Sequence, residues 1–187
     1  MDLVDAQALA GRFVELIAPY CEKVLIVGSI RRKRPQVHDV DIVAISKVKV
    51  QTKADWFTTS SIHIPTLDAR INDLITDGTV KVRVKKDGTV MVGEKVAMVE
   101  FEGFPVDIYY GDWGTWGGLV LIRTGSVEHN IILTTKAKDR GWKLHADGTG
   151  VWNARDGGVR MDDGTEAGIF KALEVPYREP WERDVTL

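Results

Sequence analysis

The chain has 187 residues, enough for one domain or for two small lobes sharing a boundary. With 44% hydrophobic and 28% charged residues it can bury a core, which excludes wholesale disorder and a fibrous design. Lys plus Arg number 25 against 27 Asp plus Glu, so a histone-like positive coat is excluded and any nucleic-acid contact must come from local patches. No stretch reaches the roughly 18–20 uncharged apolar residues of a membrane helix. The acidic start Met1-Asp2-Leu3-Val4-Asp5 has neither the basic flank nor the apolar run of a secretory signal. Cys21 is the single cysteine and makes no internal disulfide, so an intracellular, membrane-free monomer is the expectation.

In chain order, Val4, Leu9, Phe13, Leu16, Ile17 and Tyr20 recur at helical spacing, with Asp2 or Asp5 as a cap, and predict an amphipathic helix near 3–20. Val24-Leu25-Ile26-Val27 reads as a buried strand that ends in a sharp Gly28-Ser29 turn. Asp39 to Ile45 is the next strand, apolar except for Asp39 and Asp41. The polar stretch 46–64 reads as a loop and a poor helix, and Leu67 to Ile75 as a helix.

From 79 to 110 the pattern changes to hairpins, Val80–Val84 with Val90–Val92 across Asp87-Gly88, then Val96–Glu102 with Pro105–Tyr110 across Gly103. Asp-Gly-Thr occurs at 77, 87, 147 and 163, irregularly spaced, and reads as turn chemistry. Trp116–Ile122 and Ser126–Arg140 follow as helices, the second with a Ser cap and Gly141 as its stop. Short strands at 142–145, 151–152 and 159–161 and a helix at 165–173 complete an α+β chain. It divides into a mixed-sheet lobe over 1–110 and a smaller lobe over 111–187.

Asp39 and Asp41, two residues apart in a strand, project from one face. Two such carboxylates repel unless a cation lies between them. Asp107 is another lone acid in an apolar strand, and if the strands pair, three oxygen donors converge, a set suited to Mg²⁺ and not to zinc. Gly28-Ser29 leads into Arg31 and Arg32, giving close backbone approach, a hydroxyl and a guanidinium fork for phosphate. A phosphate cradle beside a divalent-metal site is what phosphoryl or nucleotidyl transfer requires. Lys81, Arg83 and Lys85 alternate with Val80, Val82 and Val84, which places three cations on one strand face, a candidate track for a DNA backbone together with Lys136 and Lys138.

Gly28-Ser29, Asp39-Val40-Asp41 and Asp107 resemble the signature of polymerase-beta-type nucleotidyltransferases. Arg123-Thr124-Gly125-Ser126 with Asn130, the stretch Lys138–Leu144, and the ending Tyr177-Arg178-Glu179-Pro180 narrow the likeness to the X family of DNA polymerases. The resemblance implies a nucleotidyltransferase palm followed by a thumb-like subdomain. About twenty residues precede the first palm strand, so it implies the short palm-plus-thumb form. It further implies template-directed addition of single deoxynucleotides to a primer 3′ end, as in gap repair. Asp39, Asp41 and Asp107 would hold two Mg²⁺ ions, with Mn²⁺ as a substitute. Gly28, Ser29 and Arg32 would grip the triphosphate, Thr124-Gly125-Ser126 would lie under the sugar, and Asn130 would read the minor-groove edge. The residues before Thr124 are Ile122 and Arg123, where the family tends to carry aromatics, and Thr134 stands where it tends to carry an arginine. Two further readings stay open on the residues alone: a nucleotidyltransferase modifying a small molecule or a protein, and an inert module that binds DNA ends.

Overall fold

The computed structural model describes residues 1–54, 59–84, 87–153 and 158–186. Helix α1 (Leu3–Ile17) is capped by Asp2, whose carboxylate accepts from the Asp5 amide at 2.9 Å, and it buries Ala6, Leu9, Ala10, Phe13 and Ile17. A 3₁₀ turn (Ala18–Tyr20) then leads into β1 (Cys21–Ile26). The expected Gly28-Ser29 turn opens a single helical turn, α2 (Gly28–Arg31), and the next strand, β2 (Val40–Ser46), starts one residue after Asp39.

The stretch expected as a loop and poor helix contains two strands, β3 (Val48–Ala54) and β4 (Thr59–Pro65), paired antiparallel with Val48 opposite Pro65. Val48, Val50, Ile62 and Ile64 stay exposed, so the described side chains of this ribbon form no buried face, and its polarity disguised it. Helix α3 (Thr66–Thr76) follows as expected.

The main sheet contains β5 (Val80–Val82), β6 (Val92–Gly93), β7 (Val96–Phe101) and β8 (Phe104–Gly111) beside β1 and β2, in the order β1-β2-β8-β7-β5, with β6 also on β7. Among the described residues the first expected hairpin shows one bridge, Val84 with Val90, while β5 pairs with β7. The second forms as expected across Glu102 and Gly103, at φ 50° and 78°, the backbone a two-residue hairpin turn requires. Among the described strands of this sheet only β2 and β8 run parallel. One sheet face, carrying Val40, Ile42, Val106 and Ile108, packs with α1 and α3 in a core that draws on residues 6–108.

On the opposite face Val43 packs with Leu119 and Val120 of α4 (Trp116–Thr124). Helix α5 (Val127–Asp139) is capped by Ser126. It packs with the three-stranded sheet β9 (Trp142–His145), β10 (Gly150–Asn153), β11 (Val159–Arg160) and with α6 (Glu166–Ala172) around Leu121, Leu133, Leu144, Val151 and Ile169. The four Asp-Gly-Thr segments each make the same turn, the Asp carboxylate accepting from the Thr amide at 2.9–3.1 Å. No helix among the described residues is long and apolar enough to cross a membrane.

Candidate active site

Because β2 and β8 run parallel, Asp41 lies directly opposite Asp107. Alternation turns both away from the α1/α3 core, onto the face that α4 covers. Asp39, just ahead of β2, completes the group: one carboxylate oxygen from each of the three lies within 4.8 Å of the others. Gly28 is what lets the α2 turn approach Asp41 closely. Its φ is +61°, and a Cβ there would collide with the Asp41 carboxylate. The Ser29 hydroxyl is buried without a hydrogen-bond partner, although its residue is half-buried overall.

The electrostatics of this group are unbalanced. Burial pushes the Asp41 carboxyl up to about 7, Asp39 and Asp107 push in the same direction, and the Arg123 and Arg32 charges pull against them. Asp107, 5% exposed, is also raised by burial, with Arg83 opposing. Its Oδ1 lies 2.9 Å from Arg83 Nη1 but takes no hydrogen bond of good geometry, and is otherwise orphaned. Three oxygen donors short of compensating charge, one with an unused buried lone pair, fit a hard divalent cation such as Mg²⁺.

Arg32 does not face open solvent. Its Nη1 donates to the Thr124 carbonyl and its Nε to Asp184 Oδ1 at 2.9 Å. The Thr124 hydroxyl accepts from Arg31 at 2.7 Å, and Ser126 Oγ donates to the Arg183 carbonyl at 2.8 Å while accepting from the His129 amide. Gly125 lies against the Arg32 guanidinium. Thr124-Gly125-Ser126 is thus fastened to the α2 turn. Asn130 donates through Nδ2 to the Ile122 carbonyl at 2.8 Å, and its Oδ1 is buried without a partner.

The expected row of cations is broken. Lys81 is exposed opposite Glu100, Arg83 is drawn onto Asp107, and Lys85 lies outside the described residues. Lys136 and Lys138 are exposed on the last turns of α5. Lys23 Nζ lies over the Trp116 ring at 4.4 Å and the Trp113 ring at 5.9 Å.

A model of the DNA polymerase beta thumb matches residues 119–184. The chain is also 29% identical over 168 residues to DNA polymerase lambda of Rattus norvegicus, covering 84% of this chain. Both matches make the chain similar to the polymerase-beta-like X family. It spans about 28% of the length of that relative.

The main sheet carries the acid triad, and the residues that follow it supply what sequence reading missed. Arg123 lays its guanidinium over the Tyr109 ring at 4.0 Å. Glu166 at the start of α6 takes both Arg31 nitrogens at 2.8 Å and Arg183 Nη1 at 2.6 Å. Arg183 itself is fully buried, donating to the Arg178 carbonyl from two nitrogens and lying over Phe170 and Tyr177. The Tyr177–Pro180 segment is therefore the wrapping of a buried arginine. These partners lie 135 residues apart for Arg31 and Glu166, so no local pattern announces them.

Proposed function

We propose that this chain is a template-directed DNA polymerase that adds single deoxynucleotides to a primer 3′ end, acting on gapped DNA in repair. The convergence of Asp39, Asp41 and Asp107 beside the Gly28-Ser29 turn carries the reading. The three acids would hold two Mg²⁺ ions, which supply Lewis acidity at the triphosphate and lower the pKa of the primer hydroxyl.

In the reaction the primer O3′ bonds to the α-phosphorus, the bond to the bridging oxygen breaks, and pyrophosphate departs. Asp107, the most buried of the three and raised by that burial, is our candidate acceptor for the O3′ proton. The unpartnered Ser29 hydroxyl and the α2 turn would receive the β- and γ-phosphates, with Arg32 turning from Asp184 to join them. Thr124-Gly125-Ser126 would form the sugar floor, with Asn130 reading the pair from the minor groove. Lys81, Lys136 and Lys138 would meet the DNA backbone at the palm edge and thumb. We take 1–110 as palm and 111–187 as thumb, acting as a monomer.

The test is incorporation on a one-nucleotide-gapped duplex with Mg²⁺ and each nucleotide singly. Extension by the nucleotide complementary to the template, lost on chelation, is expected. A chain that binds the duplex and extends it with none of the four overturns the reading.

A further inference from the structure

The row of residues across the palm sheet contains a cation that the reaction does not call for. Arg83 follows β5, and its amide donates to the Met98 carbonyl of β7 at 3.1 Å. Met98 is registered opposite Asp107 of β8, and Asp107 opposite Asp41 of β2. The Arg83 side chain therefore reaches across a whole strand, past the Met98 sulfur at 3.7 Å, to set Nη1 2.9 Å from Asp107 Oδ1 and Nη2 3.4 Å from Oδ2. Lys81, two residues earlier, stays exposed instead.

We propose that Arg83 is the resident counter-cation of the acid triad, neutralising Asp107 in the metal-free palm and competing with a divalent cation for that carboxylate. The inference rests on the metal-site reading above. Asp107 is buried, so its charge needs a partner whenever no metal is present. Among the described residues neither Asp39 nor Asp41 is ion-paired with an arginine, Arg123 and Arg32 acting on Asp41 only from farther off, and both acids remain open to the first ion. The guanidinium lies against both Asp107 oxygens, but Oδ1 takes no hydrogen bond of good geometry and keeps an unused lone pair. Arg83 is thus a positioning residue: it acts through Asp107, setting that carboxylate's orientation and the affinity of the site it shares.

The test is Mn²⁺ binding by the full chain without DNA or nucleotide, followed through the electron paramagnetic resonance of free Mn²⁺. Arg83→Met keeps the apolar stem over Met98 and removes the charge, Arg83→Lys keeps the charge, and Lys81→Gln is the control. Removing a unit charge a few ångströms from the ion should tighten Mn²⁺ binding at least about tenfold in Arg83→Met. Arg83→Lys should fall between that variant and the wild type, and Lys81→Gln should match the wild type. Heat stability provides a second readout: the midpoint of Arg83→Met should rise more on adding Mn²⁺ than that of the wild type.

Equal or weaker Mn²⁺ binding by Arg83→Met overturns the inference while leaving the metal site standing. So does a loss of affinity for duplex DNA matching that of Lys81→Gln with no change in Mn²⁺ binding, because Arg83 would then be a backbone contact. If the wild type and every variant leave Mn²⁺ free, the metal-site reading itself fails and this inference falls with it.

Discussion

Two buried acidic sites in this molecule obey the same electrostatics and reach opposite balances. At the palm, three carboxylates gather around one directly paired arginine. At the junction of palm and thumb, one carboxylate, Glu166, is held by two arginines, and its carboxyl is pulled below the usual range despite burial. Glu166 is complete as built: every strong donor it needs is a side chain of the chain itself. The triad is incomplete and becomes balanced only when positive charge arrives from outside. A satisfied network fastens α2 to α6 and the tail; an unsatisfied one is a place for ligand and chemistry.

The same chemical change, removal of a carboxylate charge, should therefore act in opposite directions at the two sites. The largest effect is expected on activity. Asp41→Asn should lower single-nucleotide extension by about a thousandfold or more, on the order of 4 kcal/mol of barrier, with duplex affinity within a few-fold of the wild type, measured by single-turnover kinetics and a binding titration. Substantial residual extension would remove Asp41 from the site. Next is Glu166→Gln, which leaves Arg31 and the fully buried Arg183 short of a counter-charge. Denaturant unfolding should report a loss of about 3 kcal/mol, and an unchanged midpoint would break the comparison.

The third effect has the opposite sign and depends on pH. The Asp41 carboxyl sits near 7 in the folded palm against an ordinary value of 3.8. From about pH 4 upward the folded state therefore keeps a proton that the unfolded chain has released. Stability contributed by this group falls as pH rises and levels off above 7. In chelator, stability should drop by about 2 kcal/mol between pH 5 and pH 8, and Asp41→Asn should abolish most of that drop. Added Mg²⁺ should raise the melting temperature at pH 8 more than at pH 5. A metal-free chain whose stability increased over this range would contradict the assignment of an uncompensated triad.

The smallest effect sharpens the role of the thumb. Asn130→Ala removes a side chain that ties α5 to the Ile122 carbonyl, at a cost of about 1 kcal/mol in stability. Discrimination between matched and mismatched nucleotides should fall more than extension of the matched one. Equal loss for both would reduce Asn130 to a structural tie.

Much of the triad was legible because it depends on short-range rules. The two-residue spacing of Asp39 and Asp41, and the lone acid in the apolar run around Asp107, carry information about a strand face without any knowledge of partners. Helix starts were equally readable at Asp2 and Ser126, whose side chains accept from amides three residues on. What could not be read is what the fold brings from afar or leaves unburied. Arg83 looked like one of three equivalent strand cations, and only the register of β5, β7 and β8 makes it the partner of Asp107. Arg32 looked free for phosphate, and only the tail shows it engaged by Asp184. The β3–β4 ribbon was missed although Val48 and Val50 alternate with Lys49 and Gln51, because period-two alternation without a buried face is a weak signal amid polar residues.

The most direct test of the account is anomalous diffraction at the manganese edge from crystals of this chain grown with Mn²⁺. The account predicts an anomalous peak enclosed by the carboxylates of Asp39, Asp41 and Asp107, and its disappearance in Asp41→Asn. A triad with no peak at saturating Mn²⁺, or a peak that survives that substitution unchanged, would contradict it.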